Sequence, residues 1–72
     1  MTPEELLANA IVEQAVKDYR QALKDIRRTS KAVAARESIR ELEKFFHSDW
    51  FEMLTTIDPD VLINRLRKEA VE

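Results

Sequence analysis

At 72 residues, with 12 Lys and Arg against 14 Asp and Glu, the chain has room for one core, and its formal charge of -2 removes the global positive field that draws many nucleic-acid binders to phosphate. It holds no cysteine, which excludes a disulfide framework and a thiolate zinc site. No apolar run approaches the roughly 20 residues of a bilayer span, and Met1-Thr2-Pro3-Glu4-Glu5 is acidic where a signal peptide is basic, so a cytoplasmic location is expected.

Glycine is absent and proline occurs only at positions 3 and 59, a composition that predicts helices joined by short turns. Thr2-Pro3-Glu4-Glu5 reads as a helix start, with Thr2 as the cap, Pro3 at the first helical position and Glu5 placed to close a capping box. Ala8, Ile11, Val12, Ala15, Val16, Tyr19, Ala22, Leu23 and Ile26 follow with 3-4 spacing, which predicts a long amphipathic helix over about 3–28. Leu6, Leu7 and Ala10 fall off that stripe and are candidates for contact with a partner. Arg27, Arg28 and Lys31 suit a helix end and the turn after it, and Ser30 is placed to cap a second helix over about 31–46. There Ala32, Val33, Ile39, Leu42, Phe45 and Phe46 oppose Arg36, Glu37, Arg40, Glu41, Glu43 and Lys44, with Glu37–Arg40 and Arg40–Glu43 at pairing distance along the helix. The two helices are expected to form an antiparallel hairpin.

Ser48-Asp49 is a cap followed by a first-turn negative charge, so the chain is expected to stop near His47 and restart as a short aromatic helix over about 49–56. Asp58-Pro59 repeats the signal and opens a last helix over about 59–71, apolar at Val61, Leu62, Ile63, Leu66 and Ala70. The fold class is therefore all-α, a single four-helix domain over 1–72. At roughly 0.05–0.15 kcal/mol per residue its stability is about 4 to 11 kcal/mol, which a homodimer would raise.

The segment 45–54 concentrates the large apolar side chains, and most of them are expected inside as the keystone between the hairpin and the last helix. An exposed edge of it, Trp50, Phe51 and Met53, is the second candidate partner surface. His47 lies one turn after Glu43, which allows a carboxylate–imidazole pair, but a zinc site would need Asp49 and Glu52 from another helix. Ser48 reads as a cap because no base accompanies it. No catalytic, metal or cofactor set is expected, and therefore no enzyme. Arg27, Arg28, Lys31, Arg36 and Arg40 gather near the hairpin turn as a candidate nucleic-acid patch, interrupted by Asp25, Glu37 and Glu41. The two C-terminal helices invite comparison with a helix-turn-helix, but Asp58 and Asp60 stand where that motif approaches phosphate.

The phrases AIVEQAVKDYRQAL (10–23) and ELEKFFHSDWFEMLTTIDPDVLINRLRKE (41–69) resemble short helical proteins carried by phages and mobile elements of Gram-positive, clostridia-like bacteria, a group without an established activity. The resemblance covers most of the chain outside 27–35. It implies a setting in which small non-catalytic proteins bind and modulate host proteins, including inhibitors of bacterial defence such as anti-CRISPR proteins. The expected function is a protein–protein interaction module. The alternatives are a small nucleic-acid-binding regulator using the basic patch and a structural homo-oligomer.

Overall fold

The computed structural model of the chain describes residues 2–29 and 31–71, with Val71 described by its backbone alone. Among these residues there are four helices and no strand: α1 (Pro3–Arg28), α2 (Val33–Phe46), α3 (Asp49–Leu54) and α4 (Pro59–Val71). The all-α architecture expected from the periodicity is the one found.

Each boundary has a local cause. Thr2 Oγ1 accepts the Glu5 N–H at 3.2 Å, and Pro3 occupies the first turn where its missing N–H leaves nothing unsatisfied. α1 ends at Thr29, whose extended backbone leaves the helix, and Arg27 and Arg28 lie in its negative last turn. Ser30, the expected cap of α2, lies outside the described residues. α2 begins two residues later than the charge pattern suggests, because the turn closes on itself first. Thr29 Oγ1 accepts from the Lys31 N–H at 3.3 Å, the Lys31 carbonyl accepts from Val33 at 2.9 Å, and Ala32 takes the N-cap position with no side-chain hydrogen bond.

Ser48 does two jobs at the break between α2 and α3. Its hydroxyl donates to the Phe45 carbonyl at 2.6 Å, closing the end of α2, and accepts from the Phe51 N–H at 3.2 Å, opening α3. α3 stops at Leu54, before the expected 56, where Thr55 turns extended (φ -157°) and its hydroxyl accepts from Ile57. Asp58 Oδ1 then accepts the Asp60 N–H at 2.9 Å as α4 starts at Pro59.

α1 and α2 pair as the expected hairpin. α4 runs alongside α1 in the same direction and antiparallel to α2, as shown by the contacts Arg20–Glu69 and Arg27–Ala70 on one side and His47–Asp60 and Glu43–Arg67 on the other. The core is small and aromatic. Tyr19, Phe46, Phe51 and Leu66 are the largest fully buried side chains, joined by Ala15 and Ile63, with Val12, Val16, Leu23, Ile39, Leu42, Phe45 and Leu62 packed around them. Rings meet edge to face: Tyr19–Phe46 at 5.7 Å, Phe46–Phe51 at 5.4 Å and Phe45–Phe51 at 5.7 Å between centroids. These are favoured quadrupole geometries, worth about 0.5–1.5 kcal/mol per pair beyond burial. Phe51 thus locks α3 onto α1 and α2.

The six residues of α3 cannot bury two faces. Phe51 turns into the core and Leu54, three residues on, is half-buried facing the first turns of α1, which leaves Trp50 and Met53, also three apart, turned outward. Trp50 is 62 % exposed and Met53 85 %. Phe51→Ala is therefore expected to cost about 3–5 kcal/mol, a large part of the domain's stability. Trp50→Ala should cost only about 0.5–1.5 kcal/mol, the value of its single ring contact with Phe45, in urea unfolding followed by circular dichroism.

Candidate functional site

Three helices converge on one polar node. The Tyr19 hydroxyl, reaching out of the core from the middle of α1, donates to Glu43 Oε2 of α2 at 2.8 Å. Arg67 of α4 donates from Nε to the Tyr19 oxygen at 3.1 Å and from Nη2 to the same Glu43 oxygen at 2.5 Å. The arrangement satisfies a buried phenol with a charge pair and pins α4 across the hairpin. Burial pushes the Tyr19 phenol above its ordinary value of 10.0. Burial also works against the Glu43 carboxylate, but hydrogen bonds from Tyr19 and Arg67 outweigh it and hold the carboxyl below its ordinary 4.5. Glu43 and Arg67 belong, by helical periodicity alone, to solvated faces, so the node is not visible in the pattern. The available signal is Tyr19 itself, a phenol in the middle of an apolar stripe, whose O–H needs an acceptor when buried.

His47 does not pair with the Glu43 carboxylate, which is committed to Tyr19 and Arg67. Its Nδ1 lies 2.9 Å from the Glu43 backbone carbonyl and its Nε2 lies 2.8 Å from Asp60 Oδ1. Both neighbours are acceptors, so both ring nitrogens donate, and the imidazolium is the favoured form. The Asp60 hydrogen bond, followed by the one to the Glu43 carbonyl, raises the His47 value above 6.5. His47 and Asp60 thus clasp the end of α2 to the start of α4. Among the described residues no three His, Cys, Asp or Glu side chains are placed to hold a metal ion.

The candidate partner residues separate into two surfaces. Leu6, Leu7 and Ala10 are exposed on the first turns of α1. The groove of about 320 Å³ between that segment and α3 is lined by Glu4, Glu5, Ala8, Asn9, Met53 and Leu54. At 100° per residue, Leu6 and Ala10 stand about 200° from Ala8 and face away from α3. Leu6 and Ala10 and the Trp50–Met53 edge therefore cannot meet one flat partner together. Phe51 is withdrawn from the partner surface: it is 1 % exposed, because it supplies the ring that holds α3 in place.

The basic residues of the hairpin turn do not form one patch either. Arg27 donates to the Ala70 carbonyl of α4, whereas Arg28 borders a groove with Asp25, Thr29 and Ala32 on the other side of the hairpin. Arg36 and Arg40 share a helical row with Glu43 and His47, the residues of α2 that meet α4. Lys31 is exposed in the turn between them. No helix among the described residues is long and apolar enough to cross a membrane.

No protein-family match, no curated relative and no solved structure is found for the chain.

The two polar contacts set opposite pH limits on stability. Glu43, lowered in the folded state, contributes above 4.5 and loses its contribution as pH falls through its folded value. His47, raised in the folded state, contributes fully below 6.5 and loses its contribution as pH rises through its folded value. Urea midpoints are thus expected to peak at mildly acidic pH. Asp60→Asn should flatten the alkaline side alone, and Tyr19→Phe should cost about 1.5 kcal/mol, the low end for a hydrogen bond to a charged group.

Proposed function

We propose that this chain is a non-catalytic protein-binding module and that the outward edge of α3, Trp50 and Met53, is its contact surface. The observation that carries this reading is the division of labour within six residues: Phe51 is anchored in the core while Trp50, 62 % exposed, and Met53, 85 % exposed, stand in solvent. A large aromatic held on a short, well-anchored helix loses little conformational freedom on binding, which is the property of an interface hot spot. The adjacent methionine supplies a polarizable, adaptable contact. Ile57, exposed in the turn that follows α3, adds apolar area nearby in sequence.

The setting belongs to the same proposal. The resemblance of 10–23 and 41–69 to phage and mobile-element proteins supports a cytoplasmic protein that binds and modulates a host protein, a defence inhibitor such as an anti-CRISPR being one such role. Self-association is a second reading, supported by the exposure of Leu6 and Leu7 at 54 % and 64 % on the first turns of α1. The division of the basic residues between two sides of the hairpin gives no comparable support to a nucleic-acid regulator.

The test compares host-lysate proteins retained by the wild-type chain and by Trp50→Ala/Met53→Ala, both immobilised at equal density. Loss of a hot spot of about 2 kcal/mol weakens retention about thirtyfold. Equal retention by a folded double variant would remove α3 from the interface. Light scattering decides the second reading: a dimer that Leu6→Ala/Leu7→Ala dissociates places self-association on α1.

A further inference from the structure

The hairpin has two sides, and α4 covers only one. Toward α4, α1 presents Tyr19, Arg20 and Arg27, and α2 presents Glu43 and His47, each with a partner there. The other side is an open groove of about 660 Å³ between α1 and α2. Its floor is made of Ala22, Ala35 and the half-buried Leu42, with Ala34 exposed beside them, and Ala22 and Ala35 are buried at 5 % and 8 % exposure. These methyl groups end short of the space a larger side chain would fill. The rims carry Asp18 and Asp25 on α1 and Glu37 and Glu41 on α2, and the remaining lining residues, Gln21 and Ser38, are neutral. Among the described residues no Lys or Arg lines this groove, in a chain that carries 12 of them; Arg28 borders the adjoining groove, which shares Asp25, Ala34 and Ala35 with it.

We propose that this groove is a docking site for a cationic amphipathic α-helix of a partner protein. Three properties select that occupant. The groove lies between two paired helices, where a third helix seats at an interaxial distance of about 8–10 Å, and an alanine floor permits the closer end of that range. Asp18 and Asp25 are seven residues apart, about 10.5 Å or two turns, so lysines or arginines at i and i+7 of a guest helix match one rim while those on its opposite flank meet Glu37 and Glu41. The apolar floor asks for small aliphatic side chains on the face between the cations, which a polyamine or a metal ion does not supply, and the carboxylates repel nucleic acid. Exposed ion pairs contribute about 0–1 kcal/mol each, so the charges select the guest and speed its arrival while the floor holds it. The site is on the hairpin and is independent of the α3 edge.

The probe is a fluorescein-labelled peptide of about 18 residues, long enough to form a helix on contact, with Ala and Leu along one face and Lys on both flanks. Fluorescence anisotropy is expected to give micromolar binding at low salt. Glu37→Lys/Glu41→Lys, at exposed positions, should weaken it about tenfold or more, whereas the charge-matched pair Glu13→Lys/Glu52→Lys, away from the groove, should weaken it less than about threefold. Circular dichroism confirms that both variants fold. A peptide of equal charge broken by a central proline should also bind about tenfold more weakly, because only a helix fits the groove. The proposal is overturned by absence of binding to the wild-type chain, by equal effects of the two charge reversals, or by equal binding of the broken peptide. It also falls if the wild-type chain is a dimer that Glu37→Lys/Glu41→Lys separates, since the occupant is then a second copy.

Discussion

The edge-to-face contact of Phe46 with Phe51 spans the single break in the aromatic segment, and the rest of the molecule is arranged around it. Phe46 ends α2, Phe51 sits in the first turn of α3, and both meet the core that Tyr19 enters from α1. Ser48 sets the bend by bonding backward to Phe45 and forward to Phe51. With that bend in place, burial of Phe51 sets the orientation of α3, and the same orientation puts Trp50 and Met53 in water. Exposure of the α3 edge is thus a consequence of core packing. A fully buried aromatic side chain removes about 150–250 Å² from water, which at about 25 cal/mol/Å² outweighs any one of the surface ion pairs at 0–1 kcal/mol.

The polar contacts have a different task. Apolar packing is tolerant of small rotations of α4, whereas Tyr19–Glu43–Arg67 is directional and fits one register of α4 against the hairpin. His47–Asp60 at one end of α4 and Arg20–Glu69 farther along it repeat that control. The result is an electrostatically sided molecule: paired cations and carboxylates lie where α4 meets the hairpin, and Asp18, Asp25, Glu37 and Glu41 line the opposite groove.

Much of the fold was legible in the sequence because local chemistry and global packing agree. Thr2-Pro3, Ser48-Asp49 and Asp58-Pro59 are start signals that the backbone obeys, and the 3-4 stripe of α1 is the stripe it buries. The start of α2 was less legible, since Thr29 closes the turn and delays the helix to Val33. The face of α3 was not legible at all. Its apolar positions outnumber the one face that six residues can bury, so the choice between Trp50 and Phe51 depends on the direction in which Ser48 aims the helix. The Tyr19 node escaped for a related reason: Glu43 and Arg67 are 24 residues apart and meet only once α4 has folded back. The basic residues look clustered in sequence but straddle a hairpin, and sequence proximity does not reveal which side each one takes.

Trp50 is the only tryptophan, so its fluorescence reports on the central claim without mutation or partner. An outward Trp50 predicts, for the native chain, emission close to that of a water-exposed indole and acrylamide quenching close to that of the chain unfolded in urea. Blue-shifted native emission with strong protection from acrylamide, lost on unfolding, would place Trp50 inside and contradict the assignment of Phe51 as the anchor and Trp50 as the presented residue.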